Sequence, residues 1–253
     1  MPKIKKIKAR EIIDSRGNPT VECDIYLSDE IFGRAAVPSG ASTGMHEAIE
    51  LRDQDKNRYG GKGVLKALSN ITEIISPKIL NKEFKNIKDF DEFLIATDGT
   101  KNKSNLGANA TLALSLAFTK SLASYEKKNL FHYLSNSDQY IMPVPMMNII
   151  NGGSHADNKV DIQEFMIAPV GASSFRESIR YGAEIFHSLK SKLKEKGLNT
   201  NVGDEGGFAP NINSSNDVIE IIIQAVISTG LKMNEDIMLS LDVAATEFYI
   251  DHK

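Results

Sequence analysis

Apolar and polar residues alternate along Lys3 to Ile13 and again along Thr20 to Leu27. That two-residue period predicts strands with one buried face. Between them Ser15-Arg16-Gly17-Asn18-Pro19 is dense in turn formers. A third short run, Ile31 to Val37, follows Ser28-Asp29-Glu30, so the opening of the chain predicts an antiparallel three-stranded meander. From Gly63 the period lengthens. Val64, Leu65, Leu68, Ile71, Ile74 and Ile75 recur at helical spacing, and Pro77 is expected to end that helix. Phe90, Phe93 and Leu94 mark a second helix. Gly107 to Tyr125 is a third, rich in Ala, Leu and Ser on nearly every face. A helix apolar all round is sandwiched between layers, and we expect this one at an interdomain contact. Strands followed by helices make residues 1–135 an α+β domain.

Asn136-Ser137-Asp138-Gln139 reads as a linker. Beyond it the pattern changes again. Met142 to Asn151 is an apolar run with two early prolines, which a strand tolerates at its start. Gly152 to Asn158 forms a loop, and Val160 to Val170 reads as a buried strand with Gln163 and Glu164 in its first half. Ser174-Phe175-Arg176-Glu177 is a capping-box start for a helix that Gly197 would end. A second helix spans about Ser214 to Thr229, and Ile237 to Val243 is an apolar strand with Asp242 near its end. Strand, loop, strand, helix, helix, strand predicts the first part of a β/α barrel over 142–253. In that architecture chemistry collects at the C-terminal ends of the strands.

Composition narrows the function. The net charge is −3, so no general affinity for nucleic acid is implied. One cysteine, Cys23, excludes an intrachain disulfide framework and fits a reducing compartment. No apolar run is long enough to span a bilayer, and the cytoplasm is the expected location.

The candidate chemistry centres on Asn201-Val202-Gly203-Asp204-Glu205-Gly206-Gly207-Phe208-Ala209-Pro210, two carboxylates set among three glycines. Alone, such a segment is an ordinary solvated turn. Pushed into a cleft, one of its carboxylates would have its pKa raised for acid/base work. Around it stand His155, Gln163, Glu164 and Asp242. Asp242 reads as a metal ligand, because a buried carboxylate needs a cation, or else as a cap for a following helix. His155 reads equally as a surface histidine. Pro38-Ser39-Gly40-Ala41-Ser42-Thr43-Gly44 has no large side chain, so it is either a linker or a mobile lid that offers oxygens to a hard cation.

Taken together, these segments closely resemble the enolase family. The resemblance is carried by Ser15 to Glu22, the loop from Pro38 to Gly44, M-P-V-P-M-M-N-I-I-N-G-G-S-H-A-D-N at 142–158, and D-I-Q-E-F-M-I at 161–167. V-G-D-E-G-G-F-A-P at 202–210 and L-D-V-A-A-T-E-F-Y at 241–249 complete it. It implies reversible dehydration of 2-phospho-D-glycerate to phosphoenolpyruvate, the phosphopyruvate hydratase step of glycolysis and gluconeogenesis, with two Mg²⁺ per complete site. Glu205 matches the family's acid/base, while His155, Gln163 and Glu164 match its substrate pocket. Asp242 matches a ligand of the first Mg²⁺. Ser42 matches the lid serine that reaches the second, within the lid Ser39, Gly40, Ala41, Ser42, Thr43 and Gly44. The resemblance also implies a homo-oligomer and a secondary surface presence. A different metal-dependent lyase on the same fold is disfavoured by the uninterrupted S-G-A-S-T-G and G-D-E-G-G motifs.

Residues 142–253 fall well short of the roughly 250 that a barrel occupies. We count three barrel strands, carrying one of the family's three metal carboxylates and no lysine base. The chain is therefore expected to be an incomplete enolase that is inactive alone, with an aggregation-prone strand edge. The competing expectation is a non-catalytic binding or scaffold fragment.

Overall fold

The structure is a computed structural model that describes residues 2–40, 42–135, 137–247 and 249. The chain divides into two compact units, Met1–Gly40 with His46–Gln139, and Ala41–Met45 with Tyr140–Lys253.

The first unit opens with β1 (Lys6–Ile13), β2 (Pro19–Tyr26) and β3 (Phe32–Ala36), an antiparallel sheet in that order. Alternation does the work expected of it. On β2, Val21, Cys23 and Ile25 are completely buried, while Glu22, Asp24 and Tyr26 point to the other face. The buried face is covered by α4 (Ala108–Tyr125). A Cβ at Gly33 would sit 2.1 Å from the Ala117 carbonyl oxygen and 2.3 Å from the Ser121 amide nitrogen. Strand and helix backbones therefore meet directly, which is why α4 is built from small residues. Within the first unit its apolar surface packs against this sheet and α3 (Ile87–Asp98). Phe84, Phe90 and Phe118 close the core, with Phe90 and Phe118 ring centroids 4.3 Å apart.

Pro77 does not end its helix. α1 (Leu65–Ser69) runs through a π-helical turn, Asn70–Ile75, into α2 (Ser76–Ile79). Pro77 then lies at the start of α2, directly after that π-helical turn. A short α5 (Leu130–Leu134) follows α4.

The second unit contains β4 (Met147–Asn151), β5 (Glu164–Ala168), α6 (Phe175–Glu195), α7 (Ser215–Ser228) and β6 (Met238–Asp242). The strands are shorter than the apolar runs that announced them, because residues 142–146 and 160–163 lie outside the ladder. Ser174 caps α6 by accepting from the Glu177 amide at 3.2 Å. The Glu177 side chain turns to Arg180 instead of closing the box. Every three or four residues α6 buries Ser178, Gly182, Ile185, Leu189 and Leu193, and it packs on α7. The sheet order is β4-β5-β6, and both ladders are antiparallel. This is a partial barrel sheet that is not closed among the described residues. No helix among them is long and apolar enough to cross a membrane.

Candidate functional site

The direction of β5 decides where the chemistry gathers. Because β5 runs against both neighbours, its first residue lies level with the last residues of β4 and β6: Asn151 pairs with Glu164, and Glu164 with Asp242. Glu164 and Gln163 thus sit at an N-terminal strand end, which corrects the expectation that every site residue would lie at a C-terminal one. Gln163 is buried, and its Nε2 donates to Asp242 Oδ2 at 3.2 Å. Its Oε1 is buried without a partner.

Two loops bring the remaining groups. The 152–160 loop is held by Gly152 N to Gln163 O at 2.9 Å and Gly153 N to Val160 O at 2.7 Å. This places His155, its side chain 5% exposed, with Nδ1 3.4 Å from Glu164 Oε1 and Nε2 3.9 Å from Glu205 Oε1. Neither approach is a hydrogen bond, and Nδ1 is buried without one. The 201–210 loop is anchored by Phe208, which is 1% exposed and stacks on Phe186 at 4.2 Å. Phe208 also exchanges backbone bonds with β4, its amide reaching Ile149 O at 2.9 Å and its carbonyl accepting from Asn151 N at 2.8 Å. Gly206, at φ +82°, makes the turn that a residue with a Cβ would strain to make.

The electrostatics are one-sided. Burial raises the Glu164 carboxyl above its ordinary value; His155 pulls it down, but nearby Asp242 and Glu205 push it further up. Among the described residues no lysine or arginine forms an ion pair with these three carboxylates. The desolvated acid of the site is thus Glu164. Glu205 and Asp204, on the glycine-rich loop, remain exposed, with the Glu205 side chain 49% accessible. Asp242 is exposed as well, so the argument that its burial demands a cation does not hold.

The small-residue loop divides into parts with different support. Arg16, presented by the first turn of the meander, donates to the carbonyls of Ser39 (2.6 Å) and Gly40 (3.0 Å). Ser39 Oγ donates to Glu50 Oε2 at 2.9 Å, and Arg52 binds both Ser39 Oγ and Glu50. Ala41 lies outside the described residues. Ser42 is half-buried without a side-chain hydrogen bond, and Thr43 and Gly44 are exposed.

Oxygen donors such as Asp242 and the partnerless Gln163 Oε1 suit a hard cation such as Mg²⁺ in kind. They do not suffice in number: among the described residues no three His, Cys, Asp or Glu side chains are grouped to hold a metal. Three asparagines, Asn148, Asn151 and Asn158, passed unnoticed in the sequence although they tie the two loops together. Their signal was a clustering of amides around N-I-I-N-G-G, which a single sequence gives no reason to separate from loop polarity.

Two family models match the chain. The model described as the enolase N-terminal domain covers residues 4–134. The model described as the enolase C-terminal TIM barrel domain covers residues 139–253.

Proposed function

The chain belongs to the enolase family, and from that premise we propose that its site serves the reversible dehydration of 2-phospho-D-glycerate to phosphoenolpyruvate and water. Membership makes it a lyase of the enolase superfamily; the particular reaction is our reading. The observation that carries it is the convergence of Glu164, His155, Glu205 and Asp242 at one end of the β4-β5-β6 sheet.

In the dehydration the C2–H and C3–OH bonds break, the C2–C3 double bond forms, and the hydroxide leaves as water. Glu205 would give the proton that the leaving hydroxide takes, a task its exposed position on the loop allows. Glu164, half-buried beside His155 and Gln163, would face the substrate with them. Asp242 would contribute to holding one Mg²⁺ and Ser42, from the lid, to holding a second; bound Mg²⁺ would supply the positive charge that an anionic substrate requires. The small side chains from Ser39 to Gly44 would close over the ligand and exclude water.

Among the described residues no group of the cluster is placed as the base that takes the C2 proton, and we propose that the 253-residue chain by itself does not turn over. We place the enzyme in the cytoplasm, with its buried, unpaired Cys23 reduced, and as a homo-oligomer. The rival reading, a non-catalytic binding chain, is favoured by the lack of a lysine or arginine partner among the described residues. Two measurements decide: the intact mass of the protein from its native source, and Mg²⁺-dependent phosphoenolpyruvate formation. A native protein that forms no phosphoenolpyruvate overturns the reaction. Turnover by the pure 253-residue chain overturns the inactivity.

A further inference from the structure

The two loops that carry His155 and Glu205 are fastened by one side chain. Asn151, the last residue of β4, is completely buried. Its Nδ2 donates to Gly207 O at 3.1 Å, and its Oδ1 accepts from Asn148 Nδ2. Asn158 Nδ2 donates both to Asn151 O at 3.0 Å and to Pro210 O at 3.2 Å, tying the far end of the second loop to the first. The loop is shaped around this amide. A Cβ at Gly203 would lie 2.3 Å from Asn151 Nδ2 and 2.6 Å from His155 O, and one at Gly207 would lie 3.0 Å from Asn151 Oδ1. Gly203 and Gly207 thus flank Asp204-Glu205 and are both pressed on the same side chain.

We propose that Asn151 is a positioning residue, supported by Asn158, that sets Glu205 against His155. Backbone bonds at Phe208 keep the loop on the sheet, and the Gly207 carbonyl that Asn151 binds also accepts from Gly203 N at 2.8 Å, closing the turn that carries Glu205. The only side-chain hydrogen bond from β4 to the Gly203–Gly207 turn among the described residues is that of Asn151. A neutral amide suits the task because it donates to a carbonyl and accepts from Asn148 at once, without adding charge to an acidic site. This deepens the reading of Glu205 as the acid and rests on it.

The test needs no turnover, so its failure is separable from failure of the proposed reaction. The ring chemical shifts of His155 are recorded by NMR at one fixed pH in the 253-residue chain with and without E205Q, in the wild-type, N151A and N158A backgrounds. Glu164 and Glu205 are the charged groups that approach the ring. Removing the Glu205 charge, 3.9 Å from Nε2, is expected to displace the His155 ring resonances in the wild-type background. In N151A that response is expected to fall below half its wild-type size, and N158A should reduce it partway. Unchanged spectra for α6 and α7 would show that the fold survives. The proposal is overturned if E205Q leaves His155 unmoved in the wild type. It is equally overturned if the full response persists in N151A, or in N158A should N151A not fold.

Discussion

Two carboxylates occupy equivalent places in the two units and meet opposite fates. Asp24 lies on β2 and Glu164 on β5, each the middle strand of a three-stranded antiparallel sheet. The neighbour opposite Asp24 on β3 is Arg34, and Arg10 reaches it from β1. Opposite Glu164 stand Asn151 and Asp242. Asp24 is completely buried; burial alone would raise its carboxyl, but the Arg34 and Arg10 guanidiniums outweigh that and hold it below its ordinary value. For Glu164, burial is joined by two further negative charges, and its carboxyl goes up. One anion is neutralised by its own sheet, whereas the other is left for something else to neutralise. On the function proposed above, that difference would separate a carboxylate kept for the fold from one kept for a ligand.

The contrast breaks most severely if the acidic site loses its frame. F208A removes a buried ring that stacks on Phe186 and anchors the 201–210 loop, and is expected to cost about 4 kcal/mol. Urea denaturation monitored in the second unit would measure it, and a loss below about 1 kcal/mol would mean the loop is held elsewhere. Next comes D24A. It leaves the two arginines without their buried acceptor, and about 3 kcal/mol should be lost. The same carboxylate gives the first unit a pH signature. Its folded pKa lies below the unfolded one, so its contribution is present above the ordinary value of 3.8 and vanishes as pH falls through the lowered value. An acid titration of D24N should lack that component, and an unchanged midpoint would contradict the assignment.

Some of this contrast was legible in the residues alone. The meander followed from alternation, and Ser174 was recognisable as a cap because capping chemistry is local. The glycines at 203, 206 and 207 marked the loop that the structure lays beside His155. Strand direction was not legible: apolar Phe165 and Ile167 bury equally well whichever way β5 runs, so the meeting of Glu164 with Asp242 awaited the register. Pro77 misled because the π turn that accommodates it has no signature in one sequence. The clasp at Asn151 depends on residues 56 positions apart, Asn151 and Gly207, and no pattern of either segment implies the other.

The smallest expected effect discriminates most sharply. E164Q keeps the shape of the side chain and removes a charge that faces Asp242 across the ladder. Like charges directly opposed on a sheet destabilise by a few tenths to about 1 kcal/mol, so at neutral pH this variant should be slightly more stable than the parent. The sign follows from linkage. Glu164 has a folded pKa above the unfolded one, so the folded state binds the proton more tightly. Its favourable contribution is complete below the ordinary value of 4.5 and is lost as pH rises through the raised one. The advantage of E164Q should therefore appear on going from acid to neutral pH, in the direction opposite to the D24N difference. Thermal unfolding of parent and variant across that range would measure it. A variant less stable than the parent at neutral pH would mean that Glu164 is already neutralised within the chain, like Asp24, and the distinction between the two carboxylates would fall.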